Sequence, residues 1–82
     1  MEITKMPSAY VLFNVSPGLE DQVLVEAKKL GNIQEAYVSY GVYDLVLKIR
    51  TNTMEELKDD VSRKIRSIDK VRSTLTLMMV EE

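Results

Sequence analysis

Apolar and polar residues change their spacing several times along this chain, and the changes mark out six elements. Residues 9–15 are rich in β-branched and aromatic side chains and are closed by Ser16, Pro17 and Gly18, the signature of a strand followed by a helix start. Ser16 suits an N-cap and Pro17 the first helical position. Leu19, Val23, Ala27 and Leu30 then recur three or four apart, which makes one helical stripe. Glu20 and Asp21 near its start, and Lys28 and Lys29 near its end, match the helix dipole. Gly31 or Asn32 can stop it in a left-handed conformation.

Residues 33–40 alternate, but they form the most polar of the strand candidates, which predicts a sheet edge. Gly41 and Val42 separate them from residues 43–50, where Tyr43, Leu45, Leu47 and Ile49 share one face. So short a separation predicts a hairpin, with Gly41 free to take a positive φ. Thr53 and Glu56 have capping-box spacing. The helix they open places Met54, Leu57, Val61, Ile65 and Ile68 on one face. Asp59 with Arg63, and Asp60 with Lys64, are spaced for helix-surface ion pairs of about 0.2–0.5 kcal/mol each. Asp69 and Lys70 give a turn into a final strand over 71–80. Residues 1–8 have no period and contain Pro7, so they read as an irregular lead-in.

The order β-α-β-β-α-β predicts an α+β, ferredoxin-like sandwich over residues 9–80, a four-stranded antiparallel sheet with both helices on one face. In a monomer the other face would be wet and polar. Here the first strand sets Val11, Phe13 and Val15 on one side and Tyr10 and Leu12 on the other. The last strand carries Leu75, Leu77, Met78 and Met79, and the third adds Val46. A buried Leu, Val or Phe contributes roughly 1.5–3 kcal/mol, so this pattern predicts that a partner covers the open face, most simply a second copy in a two-fold dimer.

Composition narrows the chemistry. At 82 residues the chain has room for one domain with a modest core, which also favours oligomerisation. It has no cysteine and no histidine, which removes disulfides, thiolate sites, the usual general base and the commonest metal ligand. Eleven basic residues against 13 acidic ones give a formal charge of −2, without the basic surplus expected of a chain that holds a nucleic-acid backbone directly. No signal-peptide core or membrane-length apolar run is present, so a cytoplasmic location is expected, with no membrane partner.

Catalytic patterns are lacking as well. There is no nucleophile elbow, the three glycines are isolated, and no phosphate-binding loop is formed. One Phe and four Tyr are few for a base-stacking sheet. An enzyme is therefore not expected, and no cofactor or metal is implied; a phosphate or cofactor near Arg72 or Arg50 would be its cheapest sign. What remains is the turn and the last strand. Gly41, Val42, Tyr43 and Asp44 could be turn and packing residues, Asp44 capping nearby backbone N–H groups. Thr74 and Thr76 could be plain strand formers.

The run Gly41-Val-Tyr-Asp-Leu-Val-Leu-Lys-Ile49 resembles the Gly-x-Tyr-Asp hairpin of the RAM domain. That domain is the effector-binding half of the leucine-responsive regulatory protein/AsnC family of transcription regulators. The flanks agree, from Ala9 to Gly18 and from Val71 to Thr76, so the resemblance spans about residues 9–80. It implies face-to-face dimers, often rings of dimers, and an amino acid or related small molecule bound between them. Carried onto this chain, the pocket would use Gly41, Val42, Tyr43 and Asp44, with Thr74 and Thr76 contributed across an interface. Backbone groups at Gly41 and Val42 would take a carboxylate and Asp44 an ammonium, a charge-assisted contact about twice as strong as a neutral one. The family's helix-turn-helix domain has no counterpart in these 82 residues. The expectation is a stand-alone sensor that modulates amino-acid metabolism or transcription. The alternative is an assembly subunit that co-oligomerises with full-length DNA-binding relatives without an effector response.

Overall fold

The computed structural model describes residues 7–68 and 70–79. Its elements are β1 (Ser8–Val15), α1 (Glu20–Lys28), β2 (Ile33–Val38), β3 (Leu45–Arg50), α2 (Met54–Asp59) and β4 (Val71–Met79). The strands form one antiparallel sheet in the order β2-β3-β1-β4, the ferredoxin-like arrangement, with the polar β2 at an edge as its sequence predicts. The lead-in expected over residues 1–8 lies mostly outside the described residues; Ser8 already belongs to β1.

Cross-strand partners share a face, so the register sorts the side chains directly. Ala9, Val11, Phe13 and Val15 of β1, Leu45, Leu47 and Ile49 of β3, and Val23, Ala27, Leu57, Ile65 and Ile68 from the helical layer make the core. On the opposite face Leu12 lies between Val46 and Leu75, and Tyr10 between Lys48 and Leu77. The predicted two-faced apolar sheet is present: Leu75, Leu77 and Met79 remain 41–47% exposed. The β2 end of that face is polar. Lys48 pairs with Glu35 at 3.8 Å and sits 5.7 Å from the centroid of the Tyr10 ring. The Tyr37 hydroxyl donates to Glu35 Oε1 at 2.9 Å. That hydrogen bond, together with the carboxylate's charge, holds the Tyr37 phenol above its usual range.

Several local expectations are corrected. Ser16 does not cap the first helix. Its carbonyl accepts from Leu19 N–H at 3.1 Å and Gly18 has φ +85°, so Ser16, Pro17, Gly18 and Leu19 form a turn with Pro second and Gly at positive φ third, as in type II. The helix begins only after it. In β2 an irregularity between Ile33 and Glu35 puts Ile33 on the core side with Ala36 and Val38, where strict alternation would place it with Glu35 and Tyr37. Thr53 caps α2 as predicted, its Oγ1 accepting from Glu56 N–H at 3.1 Å. Glu56 Oε1, however, accepts from Asn52 N–H, one residue before the reciprocal partner of the standard box.

After Asp59 the second helix widens into a π-helical turn, Asp60–Lys64, with Ile65 N–H donating to Asp60 O at 3.2 Å. Both predicted ion pairs form, at 3.3 Å for Asp59 with Arg63 and 3.1 Å for Asp60 with Lys64. Only the first is a surface pair, since Asp60 is 2% exposed. Its Oδ2 accepts from Asn32 Nδ2 at 2.8 Å, and Asn32, at φ 71°, receives Arg50 N–H on its carbonyl. The carboxylate thus ties the second helix to the end of the first.

Candidate functional site

The connection between β2 and β3 spans residues 39–44, longer than the predicted two-residue turn. Asp44 explains the difference. Its carbonyl accepts from Ser39 N–H at 2.7 Å, but its own N–H donates across to Phe13 O at 3.1 Å. Its Oδ2 accepts from Val15 N–H at 3.1 Å. Asp44 therefore belongs to the end of β1 as much as to the hairpin, and Tyr43 falls outside the ladder with it. The backbone-capping role open to a turn aspartate is filled by one carboxylate oxygen; Oδ1 has no partner among the described residues.

Gly41 departs from expectation. It does not take a positive φ, and a methyl group built on it would meet nothing within 4 Å. The protomer itself sets no requirement for glycine there. Beside it Tyr40 and Val42 stand 98% and 82% exposed, so the loop tip projects from the body, while Tyr43 and Asp44 are partly buried.

Three open recesses run along this end of the sheet. The first, about 400 Å³, is lined by Glu20, Asp21, Val38, Ser39, Tyr40, Gly41 and Asp44. The second, about 480 Å³, lies on the other side of Asp44 and adds Asn14, Val15, Pro17, Arg72 and Ser73. The third, about 210 Å³, continues past Arg72 and Ser73 to Thr74, Val71 and Arg66. Thr74 and Thr76 sit on the helix side of β4, opposite Phe13 and Val11, and both are partly buried.

Within one protomer the structure brings Gly41 and Asp44 to one recess and Thr74 to another. Val42, Tyr43 and Thr76 line none of the three. Glu20, Asp21, Arg66 and Arg72 were missed as lining residues. The two acids read as helix-dipole partners, and their position beside the hairpin required the tertiary fold. The described residues hold no cluster of three or more potential metal ligands. None of their helices is long and apolar enough to cross a membrane.

The family model for the Lrp/AsnC ligand binding domain matches residues 8–82. The chain is 34% identical to the HTH-type transcriptional regulator FL11 of Pyrococcus furiosus over 73 residues, 89% of this chain and 48% of that one. It spans about half the length of the curated relatives it matches. The solved structure of hypothetical protein PHS023 from Pyrococcus horikoshii superposes with a TM-score of 0.86 at 32% identity, covering 94% of this chain and 93% of that one. A complex of the transcriptional regulator NMB0573 with L-Met from Neisseria meningitidis shares the fold, with a TM-score of 0.78 at 12% identity over 96% of this chain and 52% of its own. The curated relatives are transcriptional regulators and not enzymes, and this chain belongs to the Lrp/AsnC family through its ligand-binding domain.

Proposed function

We propose that this protein is a non-enzymatic, cytoplasmic sensor whose oligomer binds a free amino acid or a related small molecule and so modulates transcription or amino-acid metabolism. The observation that carries the reading is Asp44. Its carboxylate is held by Val15 N–H through one oxygen, lies beside Glu20 and Asp21 in a recess without basic residues, and suits an ammonium group. The backbone at Gly41 and Val42 would meet the effector's carboxylate, and a glycine with open space over its Cα admits a close approach. Tyr43 would wall the pocket. Thr74 and Thr76 line no recess together with Gly41 in one protomer and would be supplied by a neighbouring copy. Dimers formed through the open sheet face, arranged in a ring, would bring them together. The fold neighbour from Neisseria meningitidis, a regulator solved with L-Met, supports the ligand class.

Calorimetric titration with the twenty amino acids tests this. At least one should bind at millimolar concentration or tighter, and Asp44→Ala should weaken it roughly ten- to hundredfold, the value of a charge-assisted contact. No binding, or binding untouched by Asp44→Ala, would remove the reading. The half-exposed Leu75, Leu77 and Met79 favour a second role, as an assembly subunit pairing with full-length DNA-binding relatives. Mixed oligomers that ignore every amino acid would select that role.

A further inference from the structure

The three recesses differ in sign. The wall at Glu20, Asp21 and Asp44 has no basic lining residue, and the wall at Arg66 and Arg72 has no acidic one. The middle recess holds Asp44 and Arg72 together. The site therefore grades from negative to positive along one end of the sheet.

Both arginines are available to a ligand. Neither has an ion-pair or hydrogen-bond partner among the described residues, in contrast to Lys48, Arg63 and Lys64. Beside Arg72, the Ser73 hydroxyl oxygen accepts from Asn14 Nδ2 at 3.1 Å, which frees its O–H to donate into the recess. Guanidinium groups beside hydroxyl donors form a cradle for a carboxylate. Asp44 precedes β3 and Arg72 lies on β4, with β1 between them. Their backbones are thus about 10 Å apart, two strand spacings, and both residues line the middle recess, so one small molecule there meets an acidic and a basic side chain.

We infer that the preferred effector is an amino acid with an anionic side chain, whose side-chain carboxylate is held by Arg72 and Arg66. The inference rests on the proposed function: there the hairpin already takes the α-carboxylate and α-ammonium, which leaves the arginine wall to the side chain.

The test is titration calorimetry with L-aspartate and L-glutamate against their neutral isosteres L-asparagine and L-glutamine, at one ionic strength. The acids should bind at least about tenfold more tightly, the value of one partly solvated charge-assisted contact. Arg66→Gln and Arg72→Gln should each reduce that ratio, and the double variant should abolish it while circular dichroism and solution mass stay unchanged. Isosteres that bind as tightly as the acids would overturn this inference alone and leave the sensor reading standing, as would a preference surviving in the double variant. A double variant that loses its assembly, with no acid preference in the parent, would assign the arginines to subunit pairing and overturn it equally. Failure of every amino acid to bind would remove the proposed function itself.

Discussion

On the helix side of the sheet, Val11, Phe13, Leu45 and Leu47 expose 1% of their surface or less; on its reverse, Leu75, Leu77 and Met79 expose 41–47%. The two faces share one backbone and similar side chains, yet they differ in what covers them. The helix side is closed by stripes on two helices whose spacing the chain itself provides. The reverse has Leu12 flanked by Val46 and Leu75, and among the described residues the helices pack on the other face. Toward β2 it turns polar, where Glu35, Lys48, Tyr10 and Tyr37 interact with one another. An apolar strip bordered by a polar rim is how an interface between subunits is built. The difference teaches that the same alternating strand pattern can encode a closed core or an open apolar face, depending on which elements reach it.

The largest effect should come from breaking the closed face. Leu47→Ala, at a site with no exposed surface, should cost about 2–5 kcal/mol, a large share of a small domain's stability, and urea unfolding would show the midpoint collapse. On the open face, Leu77→Lys should leave the protomer folded by circular dichroism but lower its mass in analytical ultracentrifugation, because a two-fold contact would confront the new charge with a desolvated surface. An unchanged mass would place the assembly contact elsewhere. Next in size is the polar insertion on the closed side: Asp60→Ala removes the acceptor of Asn32 and Lys64 and should cost about 1–3 kcal/mol in the same denaturation assay.

The smallest effect concerns Tyr37, on the polar rim. Its pKa is raised from 10.0 because the neutral phenol donates to Glu35 and the ionised one is repelled by it. The folded state therefore holds the proton more tightly, so this contribution is complete below pH 10 and fades as pH rises through the folded value. Ultraviolet titration of the phenol should give a midpoint above that of free tyrosine, and Glu35→Gln should lower it.

Much of this architecture can be read from spacing. The stripe of Leu19, Val23 and Ala27, the Thr53 cap and the alternation in β1 each follow from local rules, and they suffice for the order of elements and the fold class. Features that depend on contacts between distant segments cannot be read that way. Asp44 looks like the start of a strand until its N–H and carboxylate turn to Phe13 and Val15, which lengthens the loop beyond the predicted hairpin. Asp60 has the spacing of a surface ion pair, and only the left-handed Asn32 shows why it is buried. At the site, Gly41 and Asp44 stand out by sequence, while Arg72 stands out only as a phosphate neighbour and Arg66 not at all. Nothing local distinguishes an arginine beside a recess from one in bulk solvent.

The bond from Val15 N–H to Asp44 Oδ2 also has a consequence in entropy. A carboxylate on a projecting loop would ordinarily sample several rotamers, and a ligand would have to halt that motion when it binds. Here the last donor of β1 fixes the side chain as part of folding, with the second oxygen still open. A cation arriving at Asp44 meets an acceptor already oriented, so less of the contact's enthalpy is offset by lost motion. The coupling runs both ways: a group bound to that carboxylate would also hold the end of β1 in its register.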